Sequence, residues 1–455
     1  MNTEIFPVAS YEDLSNSTVV APLFQTLMRR IQESLQGMVC PKIVIKPNWI
    51  QESREDDPDK WIAVITNPAL ICLVLQTIAE ATKGKAQVCI CDAPHTYASF
   101  RAITERGALR QSLKAFQTRW PGVSVEILDL RREVWVRREG VVTQRLDNPK
   151  DPRDYARLNL GRDSLFFRHP GEGKYYGADY DSRVVNAHHT GEIQEYLIAG
   201  TPLVYDLFIN LPKMKTHKKT GITSSLKNLV GINGDKNWLP HHTEGSPRRH
   251  GDEFPVLKLT QRAEQMGKKY GRLISLKVPV LGTWVFRKAR RAGRQIIGDS
   301  DVVIRNGNWS GNDTCWRMVL DLNRCLLYGL PNGEWRQDGS SKPYLSVVDG
   351  IVGGEGNGPL CPDPVEAGVV LVGTCAAEVD AAVAALMGFD PAALPVVSEA
   401  FAPHRWPLAH RPLDAVRVVD HRLGGAASKL SDLALAANRP FRPHFGWTSL
   451  VEQPA

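Results

Sequence analysis

Apolar runs and helical stripes alternate along much of the chain. Residues 43–47, Ile-Val-Ile-Lys-Pro, read as a short buried strand. Asn67-Pro68 then offers an N-cap followed by proline at the first helical position. Leu70, Val74, Leu75 and Ile78 recur at helical spacing until Gly84 stops them. Residues 86–91, Ala-Gln-Val-Cys-Ile-Cys, read as a second strand that ends at Asp92. This β–α–β order predicts a parallel pair joined by a right-handed crossover. An apolar run over 202–211 predicts another strand. The spacing of Ile222, Leu226, Leu229 and Val230 predicts a helix over about 223–230, stopped by Gly231. Residues 345–349 and 368–373 add two strands, the second feeding a helix from Ala376 to Met387 that stops at Gly388. The stretch 130–200 is rich in Arg, Asp, Tyr and His with weak periodicity, and reads as a loop-rich cover over one sheet edge. The fold class is α/β: a mainly parallel sheet with helices on both faces, plus a basic helical insertion.

Length and charge add domain limits. The chain has 455 residues, 43% of them hydrophobic, and a net charge of +7. It is long enough for a sizeable core with insertions. The expected arrangement is a discontinuous α/β core (1–235 and 300–400), a basic helical insertion (236–299) and a C-terminal extension packing on the core (401–455). Within the insertion, Leu281, Trp284, Val285, Ile296 and Ile297 fall at helical spacing among Arg287, Lys288, Arg290, Arg291 and Arg294. Residues 280–297 therefore carry an expectation of peripheral membrane contact. The excess of positive charge favours acidic partners in general. The start, MNTEIFPVASYEDLSNS, lacks a signal-peptide pattern, and no run of about 18 apolar residues is evident, so a cytoplasmic location is expected. The eight cysteines are scattered, which suits reduced, buried thiols.

The position of polar residues points to a site. Lys46 and Asn48 follow the first strand, Asp92 ends the second, Asn210 and Lys213 the third, and Asp349 the fourth. Open parallel sheets bind ligands outside the carboxyl ends of their strands. The densest stretch places Lys213, Lys215, His217, Lys218 and Lys219 before a helix whose first turn carries Thr223, Ser224 and Ser225. Free N–H groups, hydroxyls and ammonium groups together suit a phosphate or carboxylate. Lys227 and Asn228 lie within reach of the same ligand. The glycine-rich run from Asp349 to Pro359 adds Asp349 and Glu355, candidates for acid–base work or for a divalent cation such as magnesium. The bland alternatives are a solvated basic loop and a flexible turn.

Other motifs are missing. There is no Walker A loop, no G-x-G-x-x-G and no H-E-x-x-H, and no specific nucleic-acid motif stands out. No C-x-x-C run occurs, so a ferredoxin-type iron–sulfur cluster is not expected. Cys89 and Cys91 share one strand face and read as buried thiols. The polar run from Asn306 to Thr314 precedes a helix bearing Arg317, Asp321, Asn323 and Arg324, with Met318, Leu322, Cys325 and Leu326 inward. It is either a second binding wall or an ordinary capped helix.

These residues resemble domain of unknown function family 362. The resemblance rests on Lys46-Pro47-Asn48, on Asp92-Ala93-Pro94, and on Asn-x-Pro-Lys-x-Lys-x-His from Asn210 to His217. It continues through Lys227-Asn228 with Gly231, Asp349 to Pro359, and Val379-Asp380-Ala381. It covers about 43–235 and 345–395. Some members of the family are fused to ferredoxin-type modules, which this sequence lacks; the resemblance implies no particular chemistry.

The leading expectation is an enzyme acting on a small anionic metabolite. Lys213, Lys215, His217, Thr223 and Ser224 would hold the anion, and Lys227 and Asn228 would orient the reacting group. Asp349 or Glu355 would serve as base or metal ligand, with Lys46, Asn48 and Asp92 completing the floor. The rivals are a non-catalytic metal or iron–sulfur accessory protein and a scaffold at a membrane surface or acidic partner. Reaction type, substrate and oligomeric state are not written in the sequence.

Overall fold

The computed structural model describes residues 3–54, 56–138, 141–177, 182–256, 303–433 and 439–450. The basic stretch 257–302, and with it the expected membrane-contact segment 280–297, lies outside the described residues. The neighbouring residues 236–256 form a strand, Pro240–Thr243, flanked by single turns.

An 11-stranded sheet organises the chain. Its strands are β1 (Thr3–Pro7), β2 (Lys42–Pro47), β3 (Ala86–Asp92), β4 (Val123–Asp129), β5 (Leu207–Leu211), β6 (Lys213–His217) and β7 (Gly221–Thr223). They continue with β8 (Tyr344–Asn357), β9 (Cys361–Gly373), β10 (Arg417–Asp420) and β11 (Ala426–Lys429). The order is β11-β10-β1-β9-β8-β5-β2-β3-β4, with β6 paired to β8 and β7 to β6. The β8-β5-β2-β3-β4 block is parallel, as are β6 with β8 and β1 with β10. The remaining pairs are antiparallel, so the sheet is mixed but mostly parallel.

Helices cover both faces. On one side lie α1 (Ser17–Ser34), α2 (Pro68–Ala81) and α3 (Leu109–Arg119). After the single turn α4 (Ser225–Asn228), helices α5 (Cys315–Tyr328) and α6 (Ala376–Leu386) pack on the other. The sequence logic of α2 holds atom by atom. The Asn67 side chain accepts from the Ala69 N–H at 2.9 Å, Pro68 follows, and Gly84 at φ +73 ends the element. Leu70, Ile71, Val74, Leu75 and Ile78 are fully buried against the sheet. Each stabilises by roughly 1.5–3 kcal/mol, and Leu75→Ala would cost about 2–5 kcal/mol. Together with the turn before it, Pro58–Ala81 is long and apolar enough to cross a membrane by length and composition, contrary to the sequence expectation. Most of it is buried inside the protein, as a core helix is.

Four local expectations need correction. Residues 200–204 turn as a helix before β5, because Gly200 packs its bare Cα against the Arg153 carbonyl. The segment 130–200 contains strands, Tyr155–Asn159 pairing with Ile193–Ala199 around buried Leu158, Tyr196 and Ile198. The helix expected over 223–230 is the single turn α4 and then a 3-10 turn, Leu229–Ile232. The glycine-rich run after Asp349 is no loop: it continues β8 to Asn357. Its glycines allow close approach, since a Cβ on Gly354 would sit 2.8 Å from Pro362 and 3.1 Å from Lys215, and one on Gly353 would sit 2.8 Å from Phe441.

Candidate functional site

The carboxyl ends of β2, β3 and β5 meet in one buried polar network. Lys46 ends β2 and Asp92 ends β3, and their side chains form an ion pair at 2.8 Å. Asp92 also accepts the Trp49 N–H at 2.7 Å. Asn228, on α4, joins the ends: its Oδ1 accepts from Asn48 at 2.9 Å and from Lys46 at 3.3 Å. Its Nδ2 donates to Asn210 at 2.7 Å. Lys215 donates to Asn48 Oδ1 at 3.1 Å and to the Val64 carbonyl at 2.5 Å. The backbone crosses here at Gly231, where a Cβ would overlap Asp92 Oδ1 and fall 2.6 Å from Lys46 Nζ. Only glycine fits, which gives a physical reason for the Lys-Asn-x-x-Gly spacing.

Lys213 and Asp349 form a second, separate unit. Their charges meet at 3.0 Å with both side chains fully buried. Tyr11 completes the group, donating to Asp349 Oδ1 at 2.8 Å while accepting from Lys213 at 2.7 Å. The Asn67 N–H donates to Asp349 Oδ2 at 2.8 Å. Asp349 therefore has its partners, and Lys213 is a structural cation rather than an anion ligand. Glu355 is held elsewhere, 3.0 Å from Arg439 and accepting the Arg442 N–H at 2.9 Å. Asp349 and Glu355, expected to share acid–base or metal work, are each neutralised by a different cation. No group of three or more His, Cys, Asp or Glu residues converges among the described residues.

The helix N-terminus expected to hold the anion is also taken. The N–H groups of Ser225 and Leu226 donate to the Asp380 carboxylate at 2.7 and 3.0 Å. Burial raises this carboxyl to about 6, against the opposing pull of those bonds. Ser224 is fully buried before this turn, and Thr223 carries a buried hydroxyl with no partner among the described residues.

What remains open is the last turn of α4. Lys227 is nine-tenths buried, and its ammonium has no hydrogen bond or ion pair among the described residues. Burial pushes it below its ordinary value, the Cys315 thiol opposes that shift, and the Lys46 charge adds to it. His217 is buried nearby, and burial together with Lys227, Lys218, His241 and Lys219 holds it well below its usual value. His241 is shifted the same way, chiefly by burial and then by Lys227. Lys219, bonded to the Asn306 carbonyl, is lowered to about 8. The carboxylate bearing on this cluster is Asp252. It is engaged by the Thr314 hydroxyl at 2.6 Å and the Thr243 N–H at 2.7 Å, and burial raises it to about 6.

The two imidazoles are set in opposite tautomers. His217 Nδ1 accepts the backbone N–H groups of Lys219 and Thr220 at 3.0 and 3.2 Å, so its hydrogen sits on Nε2. His241 Nδ1 lies 2.9 Å from the Leu239 carbonyl, so its hydrogen sits on Nδ1 and Nε2 is a bare base.

The C-terminal segment borders this site. Trp447 donates to the Lys218 carbonyl at 2.9 Å, and the His444 imidazole is lowered to about 4 by burial and by Lys218 and Lys219. Of the expected residues, Lys227 and His217 belong to the open cluster. Lys46, Asn48, Asp92, Lys215 and Asn228 form its hydrogen-bonded floor. His241, Lys218, Lys219, Asp252 and Cys315 were not among the expected site residues. The lysines stood in the basic run and His241 in an adjacent pair, whereas nothing in the sequence marked Cys315 or Asp252. A small pocket lined by Thr96, Arg131, Trp135 and Asn237 lies elsewhere, but Arg131 is already committed to Asp129 and to the His95 and Ala98 carbonyls.

Residues 159–385 match the model of the family described as domain of unknown function (DUF362), which supports the resemblance read from the sequence. No curated protein matches. Among solved structures, the chain is similar to the lactate racemase apoprotein from Thermoanaerobacterium thermosaccharolyticum at 11% identity and a TM-score of 0.25. That likeness covers 52% of this chain and 40% of that one. A protein from Thermotoga maritima is similar at 9% identity and a TM-score of 0.28, over 76% of this chain and 54% of that one. The chain thus spans less than two thirds of the length of either protein.

Proposed function

We propose that the protein is an enzyme acting on a small anionic metabolite, bearing phosphate or carboxylate, bound against Lys227, His217, His241, Lys218 and Lys219. The observation that carries this reading is the nine-tenths-buried Lys227, unpartnered among the described residues, amid further nitrogen groups. Buried charge normally has a counter-charge or shifts to its neutral form. Here burial and mutual repulsion lower the proton affinity of Lys227, Lys219, His217 and His241, and an arriving anion would offset the repulsion. The residues around it supply what a reaction needs beside binding: a hydrogen-bond donor at His217 Nε2, a base at His241 Nε2, and an amine.

Titration calorimetry with sulfate tests the reading. One sulfate per chain is expected, with proton uptake seen as a dependence of the heat on buffer ionisation. Lys227→Met should weaken binding at least tenfold, about 1.4 kcal/mol. Binding that is absent, or unchanged in Lys227→Met, would overturn the reading.

A further inference from the structure

We propose that Lys227 is a covalent catalytic residue whose amine forms an imine with an aldehyde or ketone carbonyl of the anionic substrate. The inference rests on the anion-site reading and gives its substrate class: a carbonyl compound that carries a phosphate or carboxylate.

Three observations converge on the amine. Lys227 Nζ has no partner among the described residues, although its side chain is nine-tenths buried, so its lone pair is not committed within the fold. Desolvation is one of the established ways a protein makes a lysine nucleophilic at neutral pH, and the direction of the Lys227 shift agrees. The third observation is the pair of opposed tautomers, an Nε2–H donor on His217 and an Nε2 lone pair on His241, each ring electrostatically coupled to Lys227. A simple anion cradle needs donors alone. A bare basic nitrogen beside it weakens anion binding and serves proton transfer. The contrast with Lys213 is instructive, since that amine is bonded to both Asp349 and Tyr11 and cannot attack.

The step balances without another reagent. The Lys227 nitrogen attacks the carbonyl carbon. A C–N bond forms as the C=O π pair moves to oxygen, where the His217 Nε2–H steadies the developing charge. His241 Nε2 takes a proton from the nitrogen and passes it to that oxygen, giving the carbinolamine. A second transfer by the same route expels the oxygen as water and leaves a C=N bond. Both hydrogens of the amine depart in that water. Lys218 and Lys219 would seat the anionic group of the substrate.

The test is reductive trapping on the full chain with two probes, pyruvate and glycolaldehyde phosphate, each with cyanoborohydride, followed by intact mass and peptide mapping. One reduced adduct per chain is expected with at least one probe, on the peptide carrying Lys227, and sulfate should suppress it at least tenfold. Lys227→Arg should abolish the adduct while keeping sulfate binding within a few-fold, because the cation is retained. His241→Gln should slow adduct formation and flatten its pH profile. An adduct spread over surface lysines, or none at Lys227, in a protein that still binds sulfate would overturn the imine and leave the anion site standing. Loss of both sulfate binding and the adduct in the wild-type chain would instead overturn the anion site itself.

Discussion

Lys213 and Lys227 come from the same basic stretch and were expected to act on the same ligand, Lys213 holding its anion and Lys227 orienting its reacting group. Both are buried, but their surroundings differ in kind. Lys213 faces Asp349 at 3.0 Å and the Tyr11 hydroxyl at 2.7 Å, a closed set in which each charge has its complement. Lys227 has no such complement among the described residues, and the titratable groups around it are mostly bases. The difference teaches that a lysine-rich strand end does two jobs here. One lysine anchors β6 to β8, and another is left with an open valence. Count and spacing of lysines cannot separate the two, because the deciding partner is a residue far away in sequence, Tyr11 or Asp349 in one case and none among the described residues in the other.

The sharpest way to break this comparison is to remove each amine in turn. Lys213→Ala leaves the Asp349 carboxylate buried without its cation, and breaking a buried pair in this way costs about 3–5 kcal/mol. Urea denaturation should show that loss. Lys227→Met removes a buried amine with no partner among the described residues and replaces it with an apolar chain of similar length. Its stability should be unchanged or higher by up to about 1 kcal/mol. If both variants lose stability equally, Lys227 has a structural partner and the open site does not exist.

A smaller effect is expected at the floor. Gly231→Ala would drive a methyl into the Lys46–Asp92 pair. Overpacking of this kind costs about 1–3 kcal/mol. The damage should spread to ligand binding, since Lys46 and Asn48 both hold Asn228 beside Lys227. A Gly231→Ala protein that melts normally would show that the pair can move aside.

Much of the architecture was legible, and the failures share a cause. Strands β2 and β3, helix α2 with its cap and the helix Ala376–Leu386 all have periodicity that burial on the sheet enforces. The network at the strand ends was legible through the rule that polar residues gather there, and Lys46, Asn48, Asp92 and Asn228 do touch. The helix N-terminus was misread because Asp380, on α6, fills it, and local sequence cannot announce a carboxylate that arrives from another helix. The strand expected over 345–349 was ended too early, because glycine usually breaks strands. Here the neighbours Lys215, Pro362 and Phe441 press so close that side chains are excluded. Strand β1 and helix α1 went unread, although Val20, Leu23, Leu27 and Ile31 have helical spacing.

A pH series sharpens the comparison further, with opposite signs for binding and stability. Lys219 is lowered to about 8, mainly by burial, with Lys218 and Lys227 adding and Cys315 and Asp252 opposing. A bound anion would favour its charged form. Sulfate does not titrate in this range, so its affinity should fall as pH rises through 8, by up to tenfold per unit for each proton taken up. Stability should respond the other way. The unfolded chain holds the Lys219 proton up to about 10.5, so between 8 and 10 the folded state binds fewer protons and this group's contribution rises with pH. Calorimetry and denaturation in the same buffers would separate the two trends. Affinity that does not change from pH 7 to 9 would remove Lys219 from the site.

The smallest effect concerns entry to the site. Residues 439–450 reach Lys218 through the Trp447 indole and are tied down by Arg439 and Arg442 on Glu355, with Arg442 also on Asp363. Both arginines are more than half exposed, 55% and 60%. The Arg442–Asp363 pair is exposed on both sides and contributes about 0.2–1 kcal/mol, screened by salt. The buried Glu355 carboxylate keeps the Arg442 N–H as a donor when both side chains are removed. Replacing both with alanine should therefore leave the melting temperature within a few degrees of the parent. It should loosen the segment that borders the lysines, so sulfate association measured by stopped flow should speed up a few-fold while affinity changes little, because none of these arginines is placed to touch the anion. The parent protein should approach the rate of the variant as ionic strength rises. Equal rates at low salt would mean that ligand reaches Lys227 by another side of the fold, and that Glu355 holds the C-terminal segment for stability alone.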